Sequence, residues 1–122
     1  MKQVLFVGLG GAAGSNLRYL TSVVTLKFYS ASFPVATFIV NVIGCFLAGL
    51  IFGSITQESA EAQNLKVLLL TGFCGGFTTF SAFALENVRL MNSGNLSTAV
   101  LYTIVSIVAG LLAAWLGLSI TR

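Results

Sequence analysis

Histidine and aspartate are absent from this chain of 122 residues, and its only acids are Glu58, Glu61 and Glu86. Without them there is no Ser-His-Asp triad, no His-based metal site and no carboxylate pair at catalytic spacing, so the sequence does not read as an enzyme. Charge of either sign is scarce, at 7% of residues against about 25% in soluble domains. The six basic residues are dispersed singly, with no patch to neutralise several phosphates, so no nucleic acid is expected as a partner. Cys45 and Cys74 lie in different apolar runs and form no C-x-x-C pair. They read as small hydrophobes and define no redox compartment.

What fills the chain instead is hydrocarbon-seeking: 57% of residues are hydrophobic, and the mean hydropathy is +0.98. Gln3–Leu17, Phe28–Gln57, Val67–Leu85 and Leu90–Thr121 contain no Lys, Arg, Asp or Glu. A helix of roughly 20 apolar residues crosses a bilayer. Four transmembrane helices are therefore expected, at about 4–26, 34–55, 65–90 and 96–120, in a single integral membrane domain over 1–122. A cleaved signal peptide is the other reading of the first run, but apolar character resumes after Arg18 through Leu26. Pro34 is expected in the first turn of the second helix, and Thr56–Lys66 as an aqueous loop.

Small residues recur four apart in each helix: Gly10/Gly14, Gly49/Gly53, Gly72/Gly76 and Ala113/Gly117. In lipid, such pairs let backbones approach closely, so a packed bundle is expected. GLGGAA at 8–13 satisfies G-x-G-x-x-A, but no acid follows before Glu58 and no βαβ unit is indicated. Helix packing explains these glycines better than a dinucleotide does.

The distribution of positive charge bears on orientation. With four spans, Lys2, Lys66 and Arg122 share one side, and Arg18, Lys27 and Arg89 the other. Orientation follows the excess of Lys and Arg, and here neither side has one. Such a chain can insert both ways and pair as an antiparallel homodimer; the alternative is that one strong helix or an assembly factor decides.

GFCGGFTTFSAFALE, residues 72–86, interrupts the third run with poor helix formers. A broken third helix is expected where Gly75-Gly76 and Thr78-Thr79 fall, with freed carbonyls met by another chain or by a cation. Phe73, Phe77, Phe80 and Phe83 are spaced 4, 3 and 3, which allows one helical stripe, read as core packing or as ring edges facing an anion. Asn41, at bilayer depth, is either interhelical glue or pathway lining. Thr79 and Ser81 of the third helix and Tyr102 and Ser106 of the fourth add hydroxyls. Uncharged donors with no acid among them suit an anion, with Arg18 enriching anions at an entrance. Glu86 is read as pairing with Arg89 at i,i+3, or as standing at a pore mouth.

VNVIGCF (40–46), GFCGGFTTFSAFALE (72–86) and GGAAGSNLRY (10–19) resemble the signature segments of the Fluc (CrcB) fluoride channel family. The resemblance implies an all-α membrane protein of the bacterial cytoplasmic membrane, a dual-topology homodimer surrounded by lipid, with two antiparallel fluoride pores. It implies a structural sodium ion (Na+) held by main-chain oxygens of Gly75 and Thr78, and a fluoride pathway at Asn41, Phe80, Phe83, Ser81, Tyr102, Ser106 and Arg18, to which the hydroxyl of Thr79 is added from the sequence. This chain reads TTFSAF where the family usually has TTFSTF, so Ala82 removes a hydroxyl from the polar row. The competing readings are a small four-helix, dual-topology multidrug or cation exporter, for which Glu86 is the sole carboxylate candidate, and a structural membrane protein.

Overall fold

The computed structural model describes residues 1–122, all of them helix, turn or short connection. Helix α1 spans Lys2–Phe28, and α2 spans Val35–Ser54. The third span is composite: α3 at Ala60–Lys66, a π-helical segment at Val67–Cys74, α4 at Gly75–Phe77, and α5 at Phe80–Asn92. Helix α6 closes the chain at Leu96–Ile120. Three stretches, Val35–Ser54, Ala60–Asn92 and Leu96–Ile120, are long and apolar enough to cross a membrane. The 27-residue α1 is also long enough, but Gly8, Gly10, Gly11 and Gly14 with Ser15, Asn16 and Arg18 dilute its apolar character.

Local chemistry sets the boundaries. Pro34 stands just outside α2 at φ −77° and ψ 73°, and its carbonyl accepts from Phe38 N–H at 3.1 Å. The third span starts at Ala60 rather than near Leu65, because Ser59 caps it: Ser59 Oγ accepts from Ala62 N–H at 3.1 Å. Much of the expected aqueous loop is thus the first two turns of a helix. At the other end, Gly94 takes φ +81°, a left-handed conformation, and reverses the chain between α5 and α6.

The third helix is broken, and the interruption is narrower than the glycines suggest. Gly75 and Gly76 remain helical; only Thr78 (φ −80°, ψ 156°) and Thr79 (φ −149°, ψ 114°) are extended. Two extended residues rotate everything after them, which divides the expected phenylalanine stripe into pairs. Phe73 and Phe77 stack with centroids 5.8 Å apart before the break, and Phe80 and Phe83 lie 5.7 Å apart after it. Phe77 is buried, whereas Phe80 is 79% exposed.

Two helix pairs make the body: α2 with α6, and α1 with the π segment and α4. Both rest on glycine. A Cβ added at Gly14 would overlap Phe73 O and lie 2.8 Å from Phe77 N, and one at Gly76 would lie 2.6 Å from Gly11 O. In the other pair, a Cβ at Gly49 would overlap Ala114 O, and one at Gly117 would overlap Phe46 O and lie 2.8 Å from Leu50 N. Backbone therefore meets backbone, the contact that lipid cannot replace. The wider π turn lies where α1 comes closest, between Leu68 and Phe73 opposite Gly10.

Gly14→Ala and Gly117→Ala should each lower thermal stability in detergent, by at least about 1–3 kcal/mol, since neither neighbour is a side chain able to swing aside. Gly8→Ala, with nothing within 4 Å of the new methyl, should leave the melting temperature unchanged or raise it slightly.

Candidate functional site

A break inside a membrane span exposes backbone groups that water cannot reach, so their partners locate the site. Asn41, two turns into α2, supplies them. Its Oδ1 accepts from Thr79 N–H at 2.7 Å, and its Nδ2 donates to Thr79 O at 3.2 Å. One side-chain amide thus binds both main-chain groups of an extended residue, as a neighbouring strand would. Thr37 and Asn41 are one turn apart on the same face of α2, and Gly44, a further turn along, has no side chain to displace the Thr78 methyl. The face of α2 is shaped to the break.

The threonines complete the corner. Thr78 N–H and Oγ1 both donate to Cys74 O, at 2.9 and 2.8 Å. Thr79 Oγ1 caps α5 by accepting from Ala82 N–H at 3.2 Å, and shares a 3.2 Å hydrogen bond with Ser81 Oγ. Because Thr79 N–H is given to Asn41, it does not close a helical turn on Gly75 O. That carbonyl is freed for another partner.

Thr79 lines two cavities. The inner one, about 260 Å³, is lined by Asn41, Cys45, Thr78, Thr79, Phe80, Phe83, Ser106, Ile107 and Gly110. It contains hydroxyls, an amide, a thiol and two phenyl rings, and no charged side chain. Ser106 Oγ is buried there with no hydrogen-bond partner. A buried hydroxyl without a partner loses its hydration for nothing in return, unless something enters the cavity to receive its proton. The outer cavity, about 310 Å³, is lined by Ser15, Arg18, Tyr19, Ser22, Thr37, Val40, Thr79, Ala82 and Glu86. Arg18 brings the fixed positive charge, and Ala82 contributes a methyl on the same wall.

Of the residues singled out from the sequence, Asn41, Thr79, Phe80, Phe83 and Ser106 converge on the inner cavity, and Arg18 lies in the outer one. Ser81 is exposed and tied to Thr79. Tyr102 stands behind them: it is fully buried, its ring centroid is 5.1 Å from that of Phe83, and its hydroxyl donates to Glu86 Oε2 at 2.8 Å. Glu86 does not pair with Arg89. Its other oxygen accepts from Thr37 Oγ1 at 2.6 Å, because α5 turns the carboxylate toward α2 and α6 while Arg89 stays exposed. Thr37 is a site residue that sequence reasoning missed, although a threonine one turn from Asn41 was a signal; Glu86, read from the sequence as an Arg89 partner or a pore-mouth residue, lines the outer cavity beside it. Spacing along a single helix cannot show that three helices bring them together. No three His, Cys, Asp or Glu side chains gather as a metal site.

The chain matches the family model described as CrcB-like protein, Camphor Resistance (CrcB), over residues 5–118. It is 47% identical over 122 residues to a fluoride-specific ion channel FluC of Flavobacterium psychrophilum, covering 100% of this chain and 98% of that one. It is 48% identical over 118 residues to fluoride-specific ion channel FluC 2 of Rhodococcus jostii, covering 97% of each. To the FluC of Prosthecochloris aestuarii it is 46% identical over 119 residues, covering 98% of this chain and 92% of the relative.

Removing the Asn41 amide leaves two backbone groups of Thr79 unmatched, so Asn41→Ala should cost about 1–3 kcal/mol for each, read as a fall in melting temperature in detergent. Ser106→Ala deletes a hydroxyl with no partner and should leave the melting temperature unchanged or higher.

Proposed function

The chain belongs to the CrcB family, and on that premise we propose that it is a fluoride channel, a passive pathway that lets fluoride leave the bacterial cytoplasm down its gradient. The observation that carries this reading is the inner cavity, where uncharged donors gather at the Thr78–Thr79 break and Ser106 Oγ lies buried and unpaired.

A small anion enters a membrane only if hydrogen-bond donors replace its water, and leaves only if none holds it by full charge. Arg18 in the outer cavity draws anions in electrostatically. At the break, Asn41 spends one amide hydrogen on Thr79 O and keeps the second. Ser106 offers its hydroxyl, and Phe80 and Phe83 offer the electropositive edges of their rings. A cation finds no carboxylate in that cavity, which argues against the exporter reading.

The proposed assembly is an antiparallel homodimer with two pores. The even division of Lys and Arg between the two sides supports it, as does Phe80, which a single copy leaves 79% exposed beside the pathway. A structural sodium ion fits the donor set at the break. Gly75 O is relieved of its helical partner and Thr78 follows it in extended chain, so two copies would bring four neutral carbonyls, suited to a monovalent cation. When bound, that ion would supply fixed positive charge to hold the two breaks together.

Liposomes containing the protein should release fluoride and retain chloride, with Phe80→Ala and Phe83→Ala reducing the fluoride rate at least about tenfold while the dimer persists. Equal leakage of both halides, or of neither, overturns the assignment. A Gln57→Cys reporter should be labelled from both faces of sealed vesicles in comparable amounts; labelling from one face only overturns the antiparallel assembly.

A further inference from the structure

Two threonines and one asparagine are buried: Thr37, Thr79 and Asn87. The threonines line the outer cavity; Asn87, 8% exposed on α5, lines neither the inner nor the outer one. Both halves of its amide are nonetheless committed. Nδ2 donates to Phe83 O at 3.0 Å, one turn back along α5, and Oδ1 accepts from Thr103 Oγ1 of α6 at 3.0 Å. This bond crosses between the helices one turn from the inner cavity, which Phe83 of α5 and Ser106 of α6 line.

Helix α5 lacks the contact that fixes the other helices. The pairs α2 with α6, and α1 with the π segment and α4, meet main chain to main chain at glycine, whereas α5 contains no glycine. Leu90 clusters with Ala99 and Tyr102, and dispersion contact of that kind resists separation without imposing a direction. A hydrogen bond has a preferred length and angle, so it sets register. The Glu86–Tyr102 bond is one such tie between α5 and α6, and Asn87–Thr103, on the next residue of each helix, is the second. An apolar cavity of about 210 Å³ lies beside the second tie, with Met91, Leu96 and Val100 in its walls. Side chains do not wedge α5 in place there; the bond holds it.

We propose that Asn87 and Thr103 are positioning residues for halide selection: their hydrogen bond sets the gap between the Phe83 ring and Ser106 Oγ, and so the size of anion that the inner cavity accepts. Neither residue touches the ion. Asn87 carries the constraint to the ring because it grips the main-chain oxygen of Phe83 itself. Fluoride is the smallest halide, and a narrow gap lets a ring edge and a hydroxyl reach it together. With the bond gone, α5 has the neighbouring cavity to shift into, contacts to fluoride lengthen, and the larger chloride fits. The inference rests on the fluoride-channel reading and adds the residues that tune its selectivity.

The test is the ratio of fluoride to chloride efflux from proteoliposomes, with the melting temperature in detergent read alongside. Thr103→Val, which keeps the shape and removes the hydroxyl, should lower the ratio at least about tenfold. Asn87→Leu should lower it likewise, and Asn87→Leu/Thr103→Val should be no worse than the more affected single variant, because the same bond is lost in each. Thr103→Ser retains the hydroxyl and should keep the wild-type ratio. A bond that served stability alone would lower the melting temperature and leave the ratio of the folded protein unchanged. An unchanged ratio in Thr103→Val, additive losses in the double variant, a Thr103→Ser ratio that follows Thr103→Val, or failure of both single variants to fold overturns the inference and leaves the channel reading standing. If one of the two fails to fold, the other decides. No fluoride flux from the wild type overturns both.

Discussion

A backbone N–H or C=O that faces hydrocarbon without a partner costs several kcal/mol, and this constraint organises the molecule. Extending Thr78 and Thr79 in the middle of a span breaks the helical ladder, and the fold is arranged to meet the consequences. Asn41 binds both main-chain groups of Thr79, Thr78 folds back on Cys74 O, and Thr79 Oγ1 starts the next helix. What these partners leave over is a spare amide hydrogen on Asn41 and a carbonyl on Gly75 without its usual partner, the groups on which the proposed pathway and sodium site rest. The same bonds that make the break tolerable place polar groups at membrane depth, where a long uninterrupted helix would place none.

Such a corner needs rigid neighbours. Glycine provides them by letting α1 lie directly on the π segment and α4, and α6 on α2, main chain against main chain. With Gly44 the same device applies at finer scale, since the missing side chain makes room for the Thr78 methyl. The position of Asn41 relative to Thr79 is therefore framed by two separate helix contacts, α1 on the segment before the break and α6 on the helix that carries Asn41. Precise hydrogen bonding at 2.7 Å follows from packing that leaves little freedom to slide.

Much of this was legible in the sequence. Charge-free runs of membrane length gave the helices, and glycines four apart gave the faces that touch. Asn41, the one amide in an apolar span, announced a need for a partner; the partner being Thr79 of another span was beyond any local pattern. The phenylalanine stripe misled because a 4-3-3 spacing assumes one continuous helix, and two extended threonines divide it into pairs on different faces. Glu86 misled in a related way. Arg89 is its neighbour at helical spacing, yet Thr37 and Tyr102 reach it across the bundle, and hydroxyls surrounded by apolar packing win over a guanidinium that can stay in water. The π segment left no mark that composition could reveal.

Thr79 borders both cavities and is also the residue that Asn41 clamps. Scaffold and proposed conduit therefore share a single joint. A substitution chosen to widen or narrow the passage there also decides whether the corner can form, so throughput and integrity cannot be adjusted separately at that position. Freedom to vary lies at the periphery, on cavity walls such as the Ala82 and Gly110 positions, which border the proposed route without a side chain that holds the backbone together.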